Sequence, residues 1–404
     1  MNLSKNFFWQ AIGQGGGKGL GLLFYLLLPR FVGIEVYGQF SFALSLALMV
    51  LQPLLELGLD LVITKWVSRD RHEVIQQALI VRVLTAIFCL AILPILAQLG
   101  APLSLLIMLY LYLVLISAQR ICFAIQRGRE QMRLEGIATF LQKGLAIIGL
   151  VIFNSINLSP LWIAPSALVT STAIVTLYVG YLTRIQIINP LHKPIDFQGL
   201  RAIAQEGFLL GGVSLFGMIY FRVDSVMLGL LVSDVEVGQY NLAYKIIEGA
   251  IFLPSLIMAV TFPGLSKSEK FYNLFRKLFL ILGIFGLIFG AVIFGFAPNL
   301  MSIAYGSEFQ AQAPILRLLA LTLFPVYWGH LATQALVALD RQKLYLFLTI
   351  LAVIANVGLN LWLIPLRGAR GAAISTLVTE ISITLCCFCS IWYIQQKASN
   401  SQEF

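Results

Sequence analysis

The sequence predicts an all-α polytopic membrane protein, with about twelve transmembrane helices in two pseudo-symmetric lobes of six. Of its 404 residues, 59% are hydrophobic and 11% are charged, and the mean hydropathy is +0.90. A water-soluble domain must cover its core with polar residues, so this composition excludes a soluble fold. An internal repeat at an offset of 200 residues predicts the two lobes.

The twelve helices are predicted from the lengths of the apolar stretches. A helix that crosses a bilayer needs about 20 mainly apolar residues. Backbone groups in lipid must hydrogen-bond within their own segment, and these stretches are too long and too uniformly apolar for barrel strands. The predicted spans are 9–29, 38–64, 75–99, 104–126, 134–154, 158–183, 207–231, 239–263, 275–296, 313–338, 342–365 and 371–394.

The internal repeat places Val36–Ala43 over Glu236–Ala243, and each copy lies between the first two spans of its half. Three positions are identical: Gly38 with Gly238, Gln39 with Gln239, and Ala43 with Ala243. Six spans per half make the halves parallel repeats, an architecture typical of transporters. We predict an N-terminal lobe at 1–183, a cytoplasmic linker at 184–206, a C-terminal lobe at 207–396 and a cytoplasmic tail at 397–404.

The distribution of Lys and Arg predicts the orientation in the membrane. Seventeen of them fall in the even-numbered loops and the two termini, and three fall in the odd-numbered loops: Arg30, Arg367 and Arg370. Cytoplasmic loops carry the excess of positive charge, so both termini are predicted to be cytoplasmic. The net charge of +9 is explained by these loops, and we predict no nucleic-acid partner.

The five cysteines all lie within predicted spans, and three of them fall in the last one. No histidine or acidic residue stands at a recognised metal-binding spacing from them. We therefore expect small packing residues and predict no metal site.

Two prolines occupy matching helices of the two halves. Pro53 and Pro254 are one position away from exact equivalence in the repeat. A proline in a membrane helix usually produces an ordinary kink. The paired positions favour these two as hinges that bend during transport.

Seven cations lie within the predicted spans beyond the first three residues of each, where burying a charge costs about 2.5–3.5 kcal/mol. Four of them are near span ends, where a long side chain can extend to the interface instead. The other three lie deeper, and two of these, Lys18 and Arg222, occur in the first helix of each half. Lys18 stands in a glycine-rich segment that favours close packing, a bendable helix or both. The seven are Lys18, Arg82, Arg120, Lys143, Arg222, Lys245 and Arg317.

Five acidic residues accompany these cations: Glu56, Asp60, Asp224, Glu248 and Glu380. Lys245 and Glu248 are three residues apart, a spacing that predicts a structural ion pair on one helix. Asp224 stands two residues from Arg222 and cannot face it on a regular helix. It needs a partner from another helix or a coupling ion, H⁺ or Na⁺. Seven cations against five acids predict a net positive interior, which suits an anionic cargo.

Several segments resemble a known family. Arg222–Gly229 with Gly238–Tyr240 is similar to the seventh-helix signature of polysaccharide-type flippases, the Wzx or O-antigen transporter branch of the multidrug/oligosaccharidyl-lipid/polysaccharide exporter superfamily. Tyr305–Phe309 resembles the outer loop before helix 10 of that family. Asn356, Asn360 and Ile364–Ala373 resemble its helix 11–12 corner. The resemblance covers nearly the whole chain and implies a MATE-like fold.

The resemblance implies a flippase that moves polyprenyl-diphosphate-linked oligosaccharide across the bacterial cytoplasmic membrane by alternating access, for cell-surface polysaccharide biosynthesis. It implies no enzymatic activity and no cofactor beyond a coupling H⁺ or Na⁺. Membrane lipid and polysaccharide polymerase or export components are the expected partners, and a monomer is sufficient. The hypothesis assigns substrate binding to Lys18, Lys143, Arg222, Arg82, Arg120 and Arg317, and ion coupling to Asp224, Glu380 and Asp60.

Two alternatives remain at this stage. A multidrug or cation antiporter has the same fold but predicts a net acidic cavity. A membrane glycan ligase or polymerase typically carries its catalytic residues on a long external loop, whereas the external loops predicted here are short.

Overall fold

A computed structural model describes residues 12–71, 73–191, 197–266 and 271–400, and this part of the chain is helical without a strand. A π-helical turn at Ile12–Gly16 precedes α1, and a 3₁₀ turn at Ser307–Gln312 precedes α11. The α-helices are α1 Gly17–Glu56, α2 Leu59–Val67, α3 Val74–Ala97, α4 Leu103–Gly128, α5 Arg133–Ser155, α6 Pro160–Leu191, α7 Phe197–Leu231, α8 Asp234–Leu265, α9 Phe271–Gly295, α10 Ala297–Tyr305, α11 Ala313–Ala320, α12 Leu323–Ala338 and α13 Gln342–Asn400.

These helices supply twelve membrane passes. Nine helical segments of the described residues are long and apolar enough to cross a bilayer. Two of the nine contain two passes each, because α1 bends at Gly33 (φ 77°, ψ 171°) and α13 bends at Gly368 (φ 54°, ψ −134°). The helix α7 supplies the remaining pass. The predicted all-α polytopic fold class is therefore confirmed.

The chain divides into two compact units, residues 1–222 and 223–404. The dividing point lies inside α7, beyond the predicted linker at 184–206. Much of that linker is helical, since α6 continues to Leu191 and α7 begins at Phe197. Residues 9–11 of the first predicted span, 192–196 of the linker and 401–404 of the tail lie outside the described residues. The predicted lobe boundaries stay predictions.

The repeated motif lies at the start of a helical pass in each unit. Val36–Ala43 follows the bend at Gly33, and Glu236–Ala243 occupies the first turns of α8. Ala43 and Ala243 have no solvent exposure. The repeat is thus a packing motif that places a small residue at the same point of both units.

The N-terminal unit has an apolar core that includes the beginning of α7. Residues of α2, α3 and α4 pack around Leu59 and Ile63, and Ile203 of α7 joins them. At Gly207 and Gly211 the α7 backbone approaches Leu57 closely: a Cβ at Gly207 would lie 2.7 Å from the Leu57 carbonyl oxygen, and one at Gly211 2.8 Å from its carbonyl carbon. Only glycine allows this approach.

The glycine-rich first segment combines close packing with open space. A Cβ at Gly13 would lie 2.4 Å from Gly136 Cα, and one at Gly17 would lie 3.0 Å from Thr139 Cγ2, both on α5. A Cβ at Gly15 would have no atom within 4 Å. The π-helical turn of Ile12–Gly16 is formed by this segment, so the glycines serve both packing on α5 and an irregular backbone.

The two predicted hinge prolines lie inside helices. Pro53 is one turn before the end of α1, and its carbonyl accepts a hydrogen bond of 2.8 Å from the Leu57 N–H. Pro254 lies within α8. The breaks in the long helices α1 and α13 occur at glycines, where positive φ is available without steric strain. The hinge role of the prolines stays a prediction.

Candidate functional site

Charged side chains inside the N-terminal unit form a cluster of Glu56, Asp60, Arg82 and Arg120, which we call the charge cluster. Glu56 ends α1 and Asp60 begins α2, and the chain turns between them through Leu57 and Gly58, both with positive φ. This tight turn brings two carboxylates together against the cations of α3 and α4.

Arg82 is the buried cation of the charge cluster. Its side chain is 6% exposed, and its guanidinium pairs with the carboxylate of Asp60, which is 14% exposed. The same guanidinium donates a 2.5 Å hydrogen bond to the Ser117 carbonyl. Arg82 is thus held inside the unit, and its side chain does not extend to the membrane interface. Removing one partner of an ion pair this deep strongly destabilises the protein, because the other charge stays buried without compensation.

Arg120 pairs with the second carboxylate and remains partly accessible. Its Nη1 donates to Glu56 Oε2 at 2.6 Å and lies 3.7 Å from Asp60 Oδ2. Glu56 also accepts a 2.7 Å hydrogen bond from Gln52 Nε2. The Arg120 side chain is 38% exposed, so one part of it stabilises the cluster while another faces a neighbouring cavity.

That cavity, which we call the cationic pocket, lies along α4 and α5 and has a volume of about 330 Å³. Two of its lining residues form an ion pair, with Arg127 Nε 3.1 Å from Glu135 Oε2. Three cations therefore face one carboxylate. Its lining residues are Ile116, Gln119, Arg120, Phe123, Arg127, Glu135, Thr139, Gln142 and Lys143.

Lys143 is the cation of the pocket without an internal partner. It is half-buried, and it forms neither a hydrogen bond nor an ion pair with the described residues. A Cβ at Gly21 of α1 would lie 3.7 Å from Lys143 Cδ. Gly21 is one helical turn from Lys18, so Lys18 and Lys143 occupy adjoining faces of α1 and α5. The Lys18 side chain itself is exposed.

Amides and hydroxyls complete the polar wall of the cationic pocket. Gln142 Nε2 donates to Thr172 Oγ1 at 2.8 Å, and Gln119 Nε2 donates to the Thr172 carbonyl at 3.1 Å. Both glutamines are buried. Positive charge combined with fixed amide groups can bind an anion that also carries hydroxyls.

The C-terminal unit holds a different polar arrangement, the carboxylate network around Asp224. Asp224 is 8% exposed and accepts three hydrogen bonds from neutral groups. The donors are Tyr240 Oη at 2.7 Å, Thr376 Oγ1 at 2.7 Å and Asn360 Nδ2 at 2.6 Å. These donors come from α8 and α13.

One atom of the carboxylate network lacks a hydrogen bond. Asn360 is fully buried, and its Oδ1 has no partner among the described residues. Its Nδ2 also donates to Asn356 Oδ1 at 2.9 Å. A carboxylate beside a buried, unsatisfied amide oxygen provides the oxygen ligands that hard cations prefer.

The other predicted residues are distributed over both units. Lys245 Nζ donates to Glu248 Oε2 at 2.5 Å on α8, which is the predicted spacing. The Arg222 guanidinium lies 5.5 Å from the Phe221 ring centre on α7. Arg317 is exposed on α11, and its Nε donates to the Phe294 carbonyl at 3.3 Å. Glu380 is half-buried on α13.

The structure adds residues that the spacing of charges did not predict. Arg127 and Glu135 belong to the cationic pocket, although the sequence places Arg127 in a loop and Glu135 at the very start of a predicted span. Tyr240, Asn360 and Thr376 hold Asp224. A usable signal existed for the amides, because Asn356 and Asn360 are four residues apart on one face of an otherwise apolar span.

Comparison with known proteins identifies both a family and a fold. A family model described as "Polysaccharide biosynthesis protein" matches residues 3–269. The probable flippase AglR of Haloferax volcanii is 26% identical over 225 residues, which cover 52% of this chain and 45% of that protein. The chain thus spans about half the length of this curated relative.

Solved structures of low identity share the fold. An inward-facing multidrug resistance MATE family transporter of the MOP superfamily has a TM-score of 0.77 at 17% identity, covering 97% of this chain and 96% of the other. Lipid II flippase MurJ in an inward closed conformation has a TM-score of 0.78 at 14% identity, covering 94% and 87%.

Proposed function

The chain belongs to the polysaccharide biosynthesis protein family, and we propose that it is a flippase for polyprenyl-diphosphate-linked oligosaccharide. It would move this cargo from the inner to the outer leaflet of a bacterial cytoplasmic membrane by alternating access, with both termini in the cytoplasm. It acts as a transporter and not as an enzyme. The relative AglR, named as a probable flippase, supports the transport activity. One chain contains both units, so a monomer suffices, working beside polymerase or export components.

The cationic pocket is the observation that carries the choice of cargo. A diphosphate needs fixed cations in a site that excludes water, and Arg120, Arg127 and Lys143 line one cavity. The amides of Gln119 and Gln142 suit the hydroxyls of a sugar. An exporter of organic cations requires carboxylates, but the single carboxylate of this pocket, Glu135, is already paired with Arg127.

Each cation has a different role in this proposal. Lys143 has no partner among the described residues and binds the diphosphate directly. Arg120 binds it with the exposed part of its guanidinium, whose other side stays on Glu56. Arg82 is committed to Asp60 and keeps the charge cluster together. Lys18 and Arg222, together with Arg317, are further proposed contacts along the path of the cargo.

The carboxylate network is the proposed coupling site. Asp224 with Asn360 Oδ1 would hold Na⁺ through oxygen ligands, or Asp224 would take up H⁺. Among the predicted acids, Asp60 is engaged by Arg82 and Arg120, and Glu380 is a secondary candidate. Asp224 is preferred because its described partners are neutral, so its negative charge remains available to a cation.

The test is flipping of a polyprenyl-diphosphate oligosaccharide in reconstituted vesicles. We expect Lys143→Gln to reduce the rate by about tenfold or more, since a charge-assisted contact is removed. Lys277→Gln removes an exposed charge from α9 and should leave the rate unchanged. Imposed gradients of H⁺ and Na⁺ should stimulate wild type, and Asp224→Asn should abolish that stimulation.

The outcomes separate the components of the proposal. If Lys143→Gln and Arg127→Gln both flip normally at normal protein levels, the cationic pocket is not the cargo site. Normal flipping by Lys18→Ala and Arg222→Ala would remove these two residues from the path. Export of a small organic cation, without flipping of any glycan lipid tested, would replace the proposal with a multidrug or cation antiporter.

A further inference from the structure

The C-terminal unit contains a second cavity, distinct from the carboxylate network, which we call the corner pocket. Its volume is about 700 Å³, within the range typical of sites for small molecules. It lies where α13 bends at Gly368, beside α8 and α11. The lining residues are Glu236, Gln239, Ala311, Ile315, Leu318, Leu366, Arg367, Arg370 and Ile374.

The two arginines of the corner pocket are unusual for their position in the chain. Arg367 and Arg370 are two of only three Lys or Arg residues in the loops predicted to be external. The positive-inside rule disfavours cations there, so membrane orientation does not explain them. Both side chains are exposed, and neither forms an ion pair with a described residue. They converge on one cavity instead.

The backbone of the corner is fixed by close contacts. Glu236 Oε2 accepts a 2.6 Å hydrogen bond from the Ala369 N–H. A Cβ at Gly368 would lie 2.4 Å from Glu236 Oε2, and one at Gly371 would lie 2.2 Å from the Leu363 carbonyl oxygen. Glu236 is therefore engaged by the backbone, and the two guanidinium groups are held on a rigid bend.

The cavity is polar on one side and apolar on the other. The polar side is formed by Arg367, Arg370, Gln239 and the backbone-bound carboxylate of Glu236, whereas the apolar side includes Ile315, Leu318 and Leu366. Guanidinium groups suit phosphate oxygens through paired hydrogen bonds. An apolar wall beside them suits a hydrocarbon chain. The combination favours an amphiphile with a phosphate headgroup over a free sugar or a cation.

We propose that the corner pocket binds the phosphate group of an amphiphilic anion at the external end of the C-terminal unit. Two sources share this chemistry: an anionic phospholipid of the outer leaflet, and the polyprenyl diphosphate of the cargo after it has crossed. Only the second source rests on the proposed function, and binding is measurable without transport.

The experiment is native mass spectrometry of the purified full-length protein in detergent. It is titrated in separate arms with phosphatidylglycerol, with a polyprenyl diphosphate and with zwitterionic phosphatidylcholine. We expect the double variant Arg367→Gln/Arg370→Gln to bind the preferred anionic lipid about tenfold or more weakly. Phosphatidylcholine binding should be unchanged. The arm that shows the loss identifies the source.

A matched double variant controls for net charge. Arg341→Gln/Lys343→Gln removes two cations from the beginning of the first segment of α13, about 40 Å from the corner at 1.5 Å per residue. It should bind like wild type. Leu318→Trp keeps both arginines but fills the cavity, and it should reproduce the loss. Its melting temperature reports whether the fold is intact.

Equal binding by wild type and Arg367→Gln/Arg370→Gln in both anionic arms would overturn the proposal. So would an equal loss in the two double variants, because this would indicate general attraction by positive charge. If Arg367→Gln/Arg370→Gln lost flipping but bound lipid like wild type, the corner-pocket proposal would fail and the flippase proposal would stand. If the wild-type protein bound lipid through these arginines but flipped no glycan, the corner-pocket proposal would stand and the flippase proposal would fail.

Discussion

The two units have related scaffolds but different polar interiors. In the N-terminal unit, a buried cation pairs with a carboxylate of another helix, as Arg82 does with Asp60. In the C-terminal unit, the ion pair of Lys245 and Glu248 lies within one helix, and the buried carboxylate of Asp224 is held by neutral donors. At the same 200-residue offset, Asp60 and Arg82 correspond to Val260 and Leu282.

The reverse correspondence shows the same divergence. Asp224 and Tyr240 fall on Phe24 and Phe40, which are both buried apolar residues. The two halves of the repeat thus share small packing residues such as Ala43 and Ala243, whereas the charges of the two units lie at different positions. This difference matches the proposed assignment of anion binding to the N-terminal unit and ion coupling to the C-terminal unit.

The largest effect is expected where a buried ion pair is broken. Arg82→Ala leaves the Asp60 carboxylate largely buried and lacking its closest cation, which should lower the unfolding free energy by about 3–5 kcal/mol. Thermal unfolding of the purified protein, followed by tryptophan fluorescence, measures the change. Asp224→Asn in the other unit should have a clearly smaller effect.

A double variant determines whether the pair itself is the cause. Arg82→Leu/Asp60→Leu removes both charges and makes this site resemble the apolar one in the C-terminal unit, so much of the lost stability should return. If the double variant is as unstable as Arg82→Ala, packing of the arginine side chain is responsible, and the electrostatic contrast between the units is wrong.

The next effect concerns the corner of α13. Gly371→Ala would place a Cβ 2.2 Å from the Leu363 carbonyl oxygen, and such overpacking should destabilise by about 1–3 kcal/mol. Gly358→Ala in the same helix meets no atom within 4 Å and should be neutral or stabilising by about 0.5–1 kcal/mol. Melting temperatures that shift equally for both variants would contradict a rigid corner.

A smaller stability change with a large functional change is expected at Asp224. Asp224→Asn keeps the volume but removes the charge, and weakening its hydrogen bonds should cost about 1–2 kcal/mol. Gradient-stimulated flipping should nevertheless disappear. Asn360→Asp adds a second carboxylate and should shift the ion dependence of flipping. Unchanged gradient stimulation in Asp224→Asn would assign the coupling to another residue.

The sequence was sufficient for the fold because lipid restricts the alternatives. Long apolar stretches in a bilayer must be helices, so the twelve passes followed from composition and length. The family assignment is confirmed as well. The sequence predicted breaks between spans at 30–37 and 366–370, but it did not predict that single glycines, Gly33 and Gly368, would bend continuous helices there. Glycine in a membrane helix serves equally for packing, and the prolines were the more familiar signal.

The sequence predicted several residues of the site but not the contacts that they make. The sequence identified Lys143, Arg120 and Asp224 because charges in a span are costly. It could not show that Arg82 is committed to Asp60, since that contact joins α3 to α2. It also treated Arg127 and Arg367 as ordinary loop charges. Arg127 lies at the end of α4 and Arg367 at the bend of α13, and only the packed structure shows that each side chain lines a cavity.

The smallest effect is expected at the edge of the N-terminal unit that is predicted to be cytoplasmic, where Lys65 Nζ and Trp66 Nε1 donate to Glu206 at 2.8 and 3.1 Å. The hydrogen bond from Lys65 holds the pKa of Glu206 below its ordinary value near 4.5. A lowered folded-state pKa stabilises the protein above that value, and the stabilisation is lost as the pH falls through the folded-state pKa. The C-terminal unit has Leu265 and Ser266 at the corresponding positions.

Glu206→Gln should therefore be less stable than wild type by less than about 1 kcal/mol at neutral pH, because the pair is partly exposed. The difference in melting temperature between the two proteins should shrink as the pH is lowered through the folded-state pKa of Glu206, where the wild-type carboxyl becomes protonated. The melting temperature of Lys65→Met should likewise approach that of wild type as the pH falls, since this variant removes the cation that lowers the pKa of Glu206. A difference that stays constant with pH would mean that Glu206 acts through packing on Trp66, and the contrast between the units would then be limited to their interiors.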